Sequence, residues 1–185
     1  ATSTFTTDCA GITSVPRTRT FETGNSAGTT SNPLPACWHR TDSQFPYSYH
    51  ATLYNFAHTG DRCLFFNTNG GNLYATLPAI DTTELLLDTL QLKFYARTYN
   101  SSQTYTLDVG VMTDPMDPNT FELVQSYYLT SGSYPAVAFR TNFTNYTGHG
   151  SFITFRCLAA SSANAYVDDV TLQRKPDCEP VDNLT

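Results

Sequence analysis

Hydrophobic and polar residues alternate with a period of two along most of this chain. Leu90, Leu92, Phe94 and Ala96 alternate with Gln91, Lys93, Tyr95 and Arg97, and Leu107, Val109 and Val111 alternate with Asp108 and Gly110. That spacing sends one set of side chains to a buried face and the other to the opposite face of a β-strand. Segments of this character lie at Cys63–Thr68, Asn72–Ile80, Leu90–Tyr99, Tyr105–Asp114, Phe121–Leu129, Ala136–Phe143, Ser151–Ala160 and Ala165–Leu172, after an opening strand near Phe21. Turn chemistry separates them. The Asn-Gly and Gly-Gly steps of Asn67–Asn72 suit a hairpin that needs positive φ, and the two Asp-Pro steps of Thr113–Phe121 end one strand and begin another. Helical periodicity is nearly absent, the best candidate being Thr82–Leu90, read either as a short helix or as a turn into the next strand. Many evenly spaced, half-buried strands predict an all-β protein, an antiparallel sandwich or barrel.

The last patterned stretch, AYVDDVTL, interrupts this regularity with two adjacent carboxylates. Strict alternation puts Tyr166, Asp168, Val170 and Leu172 on one face and Val167, Asp169 and Thr171 on the other. Asp168 then points toward the core, where an unpaired carboxylate costs several kcal/mol or more. If the first and last strands are neighbours, Glu22 of the RTFETG stretch and Asp168 converge at one sheet edge. Two carboxylates completed by main-chain carbonyls would suit Ca²⁺. The other reading of Asp168 is an ion pair with Arg17, Arg19 or Arg174, or a hydrogen bond to a loop amide. Asp169 is the second-choice ligand, because a bulge would exchange the two faces.

Composition narrows the partners. The 185 residues suffice for one sizeable core, and the tail Arg174–Thr185 shifts to Pro, Asp and Asn. We therefore read residues 1–175 as one binding module and 176–185 as a linker or the start of another domain. Charged residues make up only 14%, against roughly 25% in an average soluble protein, and Thr, Ser, Asn and Tyr take their place. The net charge is −6, with only Lys93 and Lys175 as lysines, which excludes nucleic acid as a natural partner. No apolar run reaches the length of a membrane span, and the opening at Ala1 without methionine reads as a piece of a larger protein. Catalytic signatures are missing: no GxSxG, no HExxH, no glycine-rich phosphate loop. Adjacent Asp168 and Asp169 point to opposite faces and cannot form a glycosidase pair. The chain is read as a non-enzyme. Asp114 and Asp117 lack the ligand spacing of an EF-hand and read as turn residues.

The five cysteines, Cys9, Cys37, Cys63, Cys157 and Cys178, form no CxxC pair, which argues against zinc. Disulfides suit an exported protein, and the odd count leaves at least one thiol unpaired. Connectivity is not fixed by sequence; we expect Cys9 and Cys178, which bracket the domain, to approach each other, and at least one of Cys37, Cys63 and Cys157 to be a plain buried thiol. Aromatic residues include 12 Tyr and a single Trp. Tyr127 and Tyr128 are adjacent, so one faces outward, and with Tyr99, Tyr134 and Tyr146 they are candidates for stacking on a sugar ring. Trp38 is assigned either to the core or rim or to a sugar platform.

The order FETG, LPACWHR, FPYSYH, LPAIDTT, LQLKFYAR, LDVGVMTDPMDPNTFELV, YTGHGSFITFR, AYVDDVTL resembles the cleaved-adhesin, or MAM-like, jelly-roll modules of Bacteroidales surface proteins. The resemblance covers Cys9 to about Leu172, with the VGVMTDP run and the final VDDV strand as its most specific parts; the tail CEPVDNLT resembles the opening of a fibronectin type III domain. It implies a jelly-roll sandwich related to galactose-binding-like carbohydrate modules, secreted and displayed on the cell surface. In that group the first-strand Glu and the first Asp of the last strand commonly hold a structural calcium, positions matched here by Glu22 and Asp168. The expected function is that of a monomeric, calcium-stabilised module binding a neutral or lightly charged polysaccharide or host glycan. The alternative is an adhesin or spacer that binds a host surface protein and no sugar.

Overall fold

The computed structural model describes residues 9–22, 34–41, 47–50, 56–69, 71–98, 105–129, 136–158 and 161–177. Eleven strands form there: β1 (Arg17–Arg19), β2 (His39–Arg40), β3 (Tyr47–His50), β4 (Arg62–Asn69), β5 (Leu73–Thr76), β6 (Leu90–Thr98), β7 (Tyr105–Met112), β8 (Glu122–Leu129), β9 (Val137–Asn142), β10 (Phe152–Cys157) and β11 (Ser161–Arg174). They make two antiparallel sheets. One has six strands in the order β3-β4-β11-β6-β9, with β1 beside β11; the other has five in the order β2-β5-β10-β7-β8. The expected sandwich is the observed one. The Thr82–Leu90 segment holds a turn at 82–84 and a 3-10 turn at Leu87–Thr89 rather than a helix; Leu85, Leu87 and Leu90 feed the sandwich core while Leu86 stands exposed.

Alternation builds the core as the sequence pattern requires. Leu64, Phe66, Leu92, Phe94, Ala96, Ala165 and Val167 face Leu73, Ala75, Leu107, Val109, Val111, Ile153 and Phe155 from the opposite sheet. The Phe94 and Phe155 rings meet edge to face at 5.0 Å. Each fully buried Leu, Val or Phe contributes on the order of 2 kcal/mol of transfer free energy. A second, smaller cluster of Phe56, Cys63, Phe65 and Tyr166 uses the alternate positions of β4 and β11, and so lies on the outer face of the six-stranded sheet.

Strict alternation fails at one place in β11. Asp168 pairs with Tyr95 and Thr171 with Lys93, so two residues of β11 oppose the single Phe94 of β6. This bulge carries Asp169 at φ 47°. It corrects the face assignment made from sequence: Ala165, Val167, Val170 and Leu172 all belong to the main core, while Tyr166 and Asp168 lie on the outer side.

The cysteines pair differently from the expectation. Cys9 is bonded to Cys37, with Cα atoms 5.5 Å apart. Cys37 sits in a turn at φ 68° rather than in a strand, which turns its side chain toward the start of the chain. Cys178 lies outside the described residues. Cys63 and Cys157 are free and buried, and burial pushes the Cys157 thiol up to about 12, as expected of plain buried thiols.

Candidate functional site

Two places gather chemistry. The first is the segment 56–61, laid across the outer face of the six-stranded sheet. Asp168 is 2% exposed and its Oδ2 accepts the backbone N–H groups of His58 (2.8 Å) and Thr59 (3.0 Å), while Oδ1 accepts that of Asp169 (2.8 Å). The loop amide is thus the partner of Asp168, not an arginine. Glu22 grips the other end of the segment: its two carboxylate oxygens accept the N–H groups of Asp61 (3.0 Å) and Arg62 (2.9 Å). Asp169 accepts from Thr59 Oγ1 (2.7 Å) and His58 Nδ1 (2.6 Å). The His58 ring stacks on Tyr95 with centroids 3.4 Å apart.

The backbone is bent to make this clasp. Pairing of Arg17–Arg19 with Val170–Leu172 sets the first and last strands side by side. Phe21 then turns at φ 58°, a conformation costing a non-glycine residue on the order of 1–2 kcal/mol. Its ring is 2% exposed and packs edge-on against Trp38 at 5.4 Å, which holds the turn that delivers Glu22. Gly60, at φ 61°, brings its backbone against the Glu22 carboxylate; a Cβ there would lie 2.5 Å from the carboxyl carbon. Burial raises the Asp168 carboxyl to about 7, against the pull of its three N–H donors.

Carboxylate oxygens are the hard ligands that Ca²⁺ takes, and all four oxygens of Glu22 and Asp168 accept backbone N–H groups. Two carboxylates, Glu22 just beyond β1 and Asp168 within β11, clasp one segment, and neither forms an ion pair with Lys or Arg among the described residues. Side chains alone do not complete such a site, since no group of three or more His, Cys, Asp or Glu is placed to hold a metal among the described residues. Main-chain oxygens would have to supply the remaining ligands.

The second place is the outer face of the five-stranded sheet. Asp108, 1% exposed, is directly opposite Ser126 on β8 and Arg156 on β10. Arg156 donates to its Oδ2 from Nε (3.0 Å) and Nη2 (2.6 Å), and Ser126 Oγ to its Oδ1 (2.7 Å). The pinned guanidinium lies 4.1 Å from the centroid of Phe121, and Phe121 meets Tyr74 edge-on at 5.8 Å. Gly110 makes room for this ring: a Cβ there would be 2.4 Å from Phe121 Cζ. The turn before it is tied by Asp114, which accepts from Met116 N–H (2.8 Å), and Asp117, which accepts from Asn119 N–H (3.0 Å). Those two carboxylates serve the turn, as their spacing predicts. Tyr128 stands on the same face, 70% exposed, and His39 meets Phe152 edge-on at 6.2 Å.

Of the residues singled out for sugar stacking, Tyr128 alone among the described ones presents its ring to solvent. Tyr127 faces inward against Phe94 and Phe139, and its hydroxyl bonds the Arg140 carbonyl (2.7 Å) and Thr141 Oγ1 (2.6 Å); this placement takes it out of the candidate platform. Trp38 is 8% exposed and belongs to the core, and Tyr146 packs against the core with its hydroxyl accepting from Gly150 N–H (3.0 Å). Tyr99 and Tyr134 lie outside the described residues. Sequence reasoning missed Asp108, Arg156, Phe121 and Tyr74. Asp108 and Arg156 stand at the polar positions of two alternating strands, a signal available from sequence, but their pairing across 48 residues is not.

Two antiparallel sheets in this order make a jelly-roll sandwich. No family model matches the sequence, and no curated protein matches it. Solved structures do match. The K2 cleaved adhesin domain of Lys-gingipain superposes with a TM-score of 0.64 at 12% identity, covering 86% of this chain and 99% of that one. The K1 cleaved adhesin domain of Lys-gingipain from Porphyromonas gingivalis gives 0.62 at 14%, covering 88% and 100%. The CBM22-1 xylan-binding domain of Paenibacillus barcinonensis Xyn10C gives 0.60 at 14%, covering 91% and 99%. These neighbours share the fold of the modules that the sequence resembles, and they are binding and adhesin domains.

Proposed function

We propose that this chain is a non-catalytic carbohydrate-binding module of a secreted or cell-surface protein, and that the outer face of the five-stranded sheet takes a neutral polysaccharide. The observation that carries the reading is the row of Phe121, Arg156, Asp108 and Ser126, supported by the buried Tyr74, with the exposed Tyr128 ring beside it. Aromatic faces stack on the apolar side of a sugar ring, and a guanidinium locked by a buried carboxylate offers fixed donors to hydroxyl groups. The xylan-binding neighbour and the Cys9–Cys37 disulfide, a bond of oxidising compartments, are consistent with it. Calcium belongs to the proposal as a structural ion held by Glu22 and Asp168, with Asp169 as the second choice; it would fasten segment 56–61 to the sheet.

Affinity gels containing soluble neutral polysaccharides test the reading. Tyr128→Ala should weaken retention about tenfold, the loss of one stacked ring, and leave the melting temperature unchanged because the ring is exposed. Tyr127→Ala should instead lower the melting temperature by several degrees through lost core packing. A panel that retards neither wild type nor variants, with capture by a host surface protein, would establish the adhesin reading.

A further inference from the structure

The opposite edge of the sandwich holds a feature that the outer face does not use. Arg17 and Arg19 lie directly across from Leu172 and Val170, and cross-strand partners share a face. Leu172 and Val170 are core residues, so both arginines stand on the inward face of an edge strand, where a sandwich ordinarily places apolar side chains. There they line a crevice between the sheets together with Ile12, Trp38, Leu77 and Pro78. Neither arginine forms a hydrogen bond or ion pair among the described residues. Trp38 buries its indole N–H without an acceptor, a donor whose desolvation is uncompensated. The crevice thus offers two guanidinium groups, Arg17 exposed and Arg19 half-buried, over apolar walls with no acceptor side chain.

We propose that this edge crevice is a second binding site, for the carboxylate of an acidic sugar residue such as a hexuronate. A ligand matching these donors must be an acceptor, and two unpaired guanidinium groups select an anion. The space between the walls is about 10 Å³, room for one water-sized group, so the ligand enters by a narrow tip and its body stays outside. A carboxylate fixed on a rigid ring meets that condition with little ordering cost. A peptide is recognised along a groove or strand edge several residues long, which a crevice for one group does not provide. The chain's net charge of −6 opposes long acidic polymers, but charge beyond about 8 Å is screened at physiological salt; the site suits a single acidic residue in a mostly neutral glycan.

The chain's only tryptophan, Trp38, is a wall of this crevice, so its fluorescence responds to what enters there. Digalacturonate should change the emission of the full chain along a saturating curve, in the millimolar range expected of a shallow charged contact, roughly. Galactose and cellobiose should not. The Arg17→Gln/Arg19→Gln double variant should weaken the response about tenfold or more at an unchanged melting temperature, whereas Tyr128→Ala should leave it intact. That last arm separates this site from the outer face, so either can fail without the other. The proposal is overturned by no emission change with digalacturonate, by an equal change with the neutral sugars, by an unaffected double variant, or by a response confined to acetyl-glutamate amide, the peptide probe.

Discussion

Chelation with EDTA is expected to lower the melting temperature by about 5–10 °C at pH 8, and added calcium to restore it. An ion bound to the native state alone, at roughly one hundred times its dissociation constant, adds about 2.7 kcal/mol, and a domain of this size shifts by about 2–4 °C per kcal/mol. The acidity of Asp168 gives the effect a sign in pH. Its carboxyl titrates at about 7 in the fold, raised chiefly by burial, against about 3.9 in an unfolded chain. Between those values the folded state holds the extra proton, so in EDTA the group's contribution to stability grows as pH falls from 8 toward 5. Calcium needs the ionised carboxylate, so its contribution falls over the same window. The two melting curves should converge at pH 5. Identical curves with EDTA and with calcium at pH 8 would remove the metal from the proposal and leave Glu22 and Asp168 as clamps on the backbone N–H groups of segment 56–61.

Loss of the Cys9–Cys37 bridge, by Cys9→Ser with Cys37→Ser, should destabilise the domain by about 3–4 kcal/mol in the loop-entropy model, the bond closing a separation of 28 residues. The cost falls on functional geometry as well, because Cys37 precedes Trp38, and Trp38 packs on the Phe21 turn that delivers Glu22. The double variant should therefore melt lower and also respond less to calcium. Urea denaturation checks the first effect, and calcium titration of the melting temperature the second. An unchanged urea midpoint would show that the bridge carries no stability. Peptide mapping that recovers Cys9 joined to Cys178 would overturn the pairing itself.

The strands are legible in the residue order alone, because side-chain direction along an extended chain depends only on local backbone geometry. Leu90 to Ala96 and Leu107 to Val111 could be assigned to a buried face without knowing what they would meet. The turns at Asp114 and Asp117 were equally legible, since their carboxylates bond amides two residues away. Features that depend on register and on partners far along the chain are visible in the fold and not before. One extra residue in β11 moved Val170 and Leu172 to the face of Val167 and left Asp168 on the other side, beneath segment 56–61. No local preference announces that bulge, because it exists only where β11 meets β6. The backbone turn at Cys37 aimed its thiol at Cys9, a pairing that spacing alone does not choose. Adjacent Tyr127 and Tyr128 had to face opposite ways, but which one is buried follows from the pairing of Tyr127 with Leu107. Asp108 and Arg156 were two polar positions in separate strands until β7 and β10 came side by side; long-range pairing, not composition, made them a site.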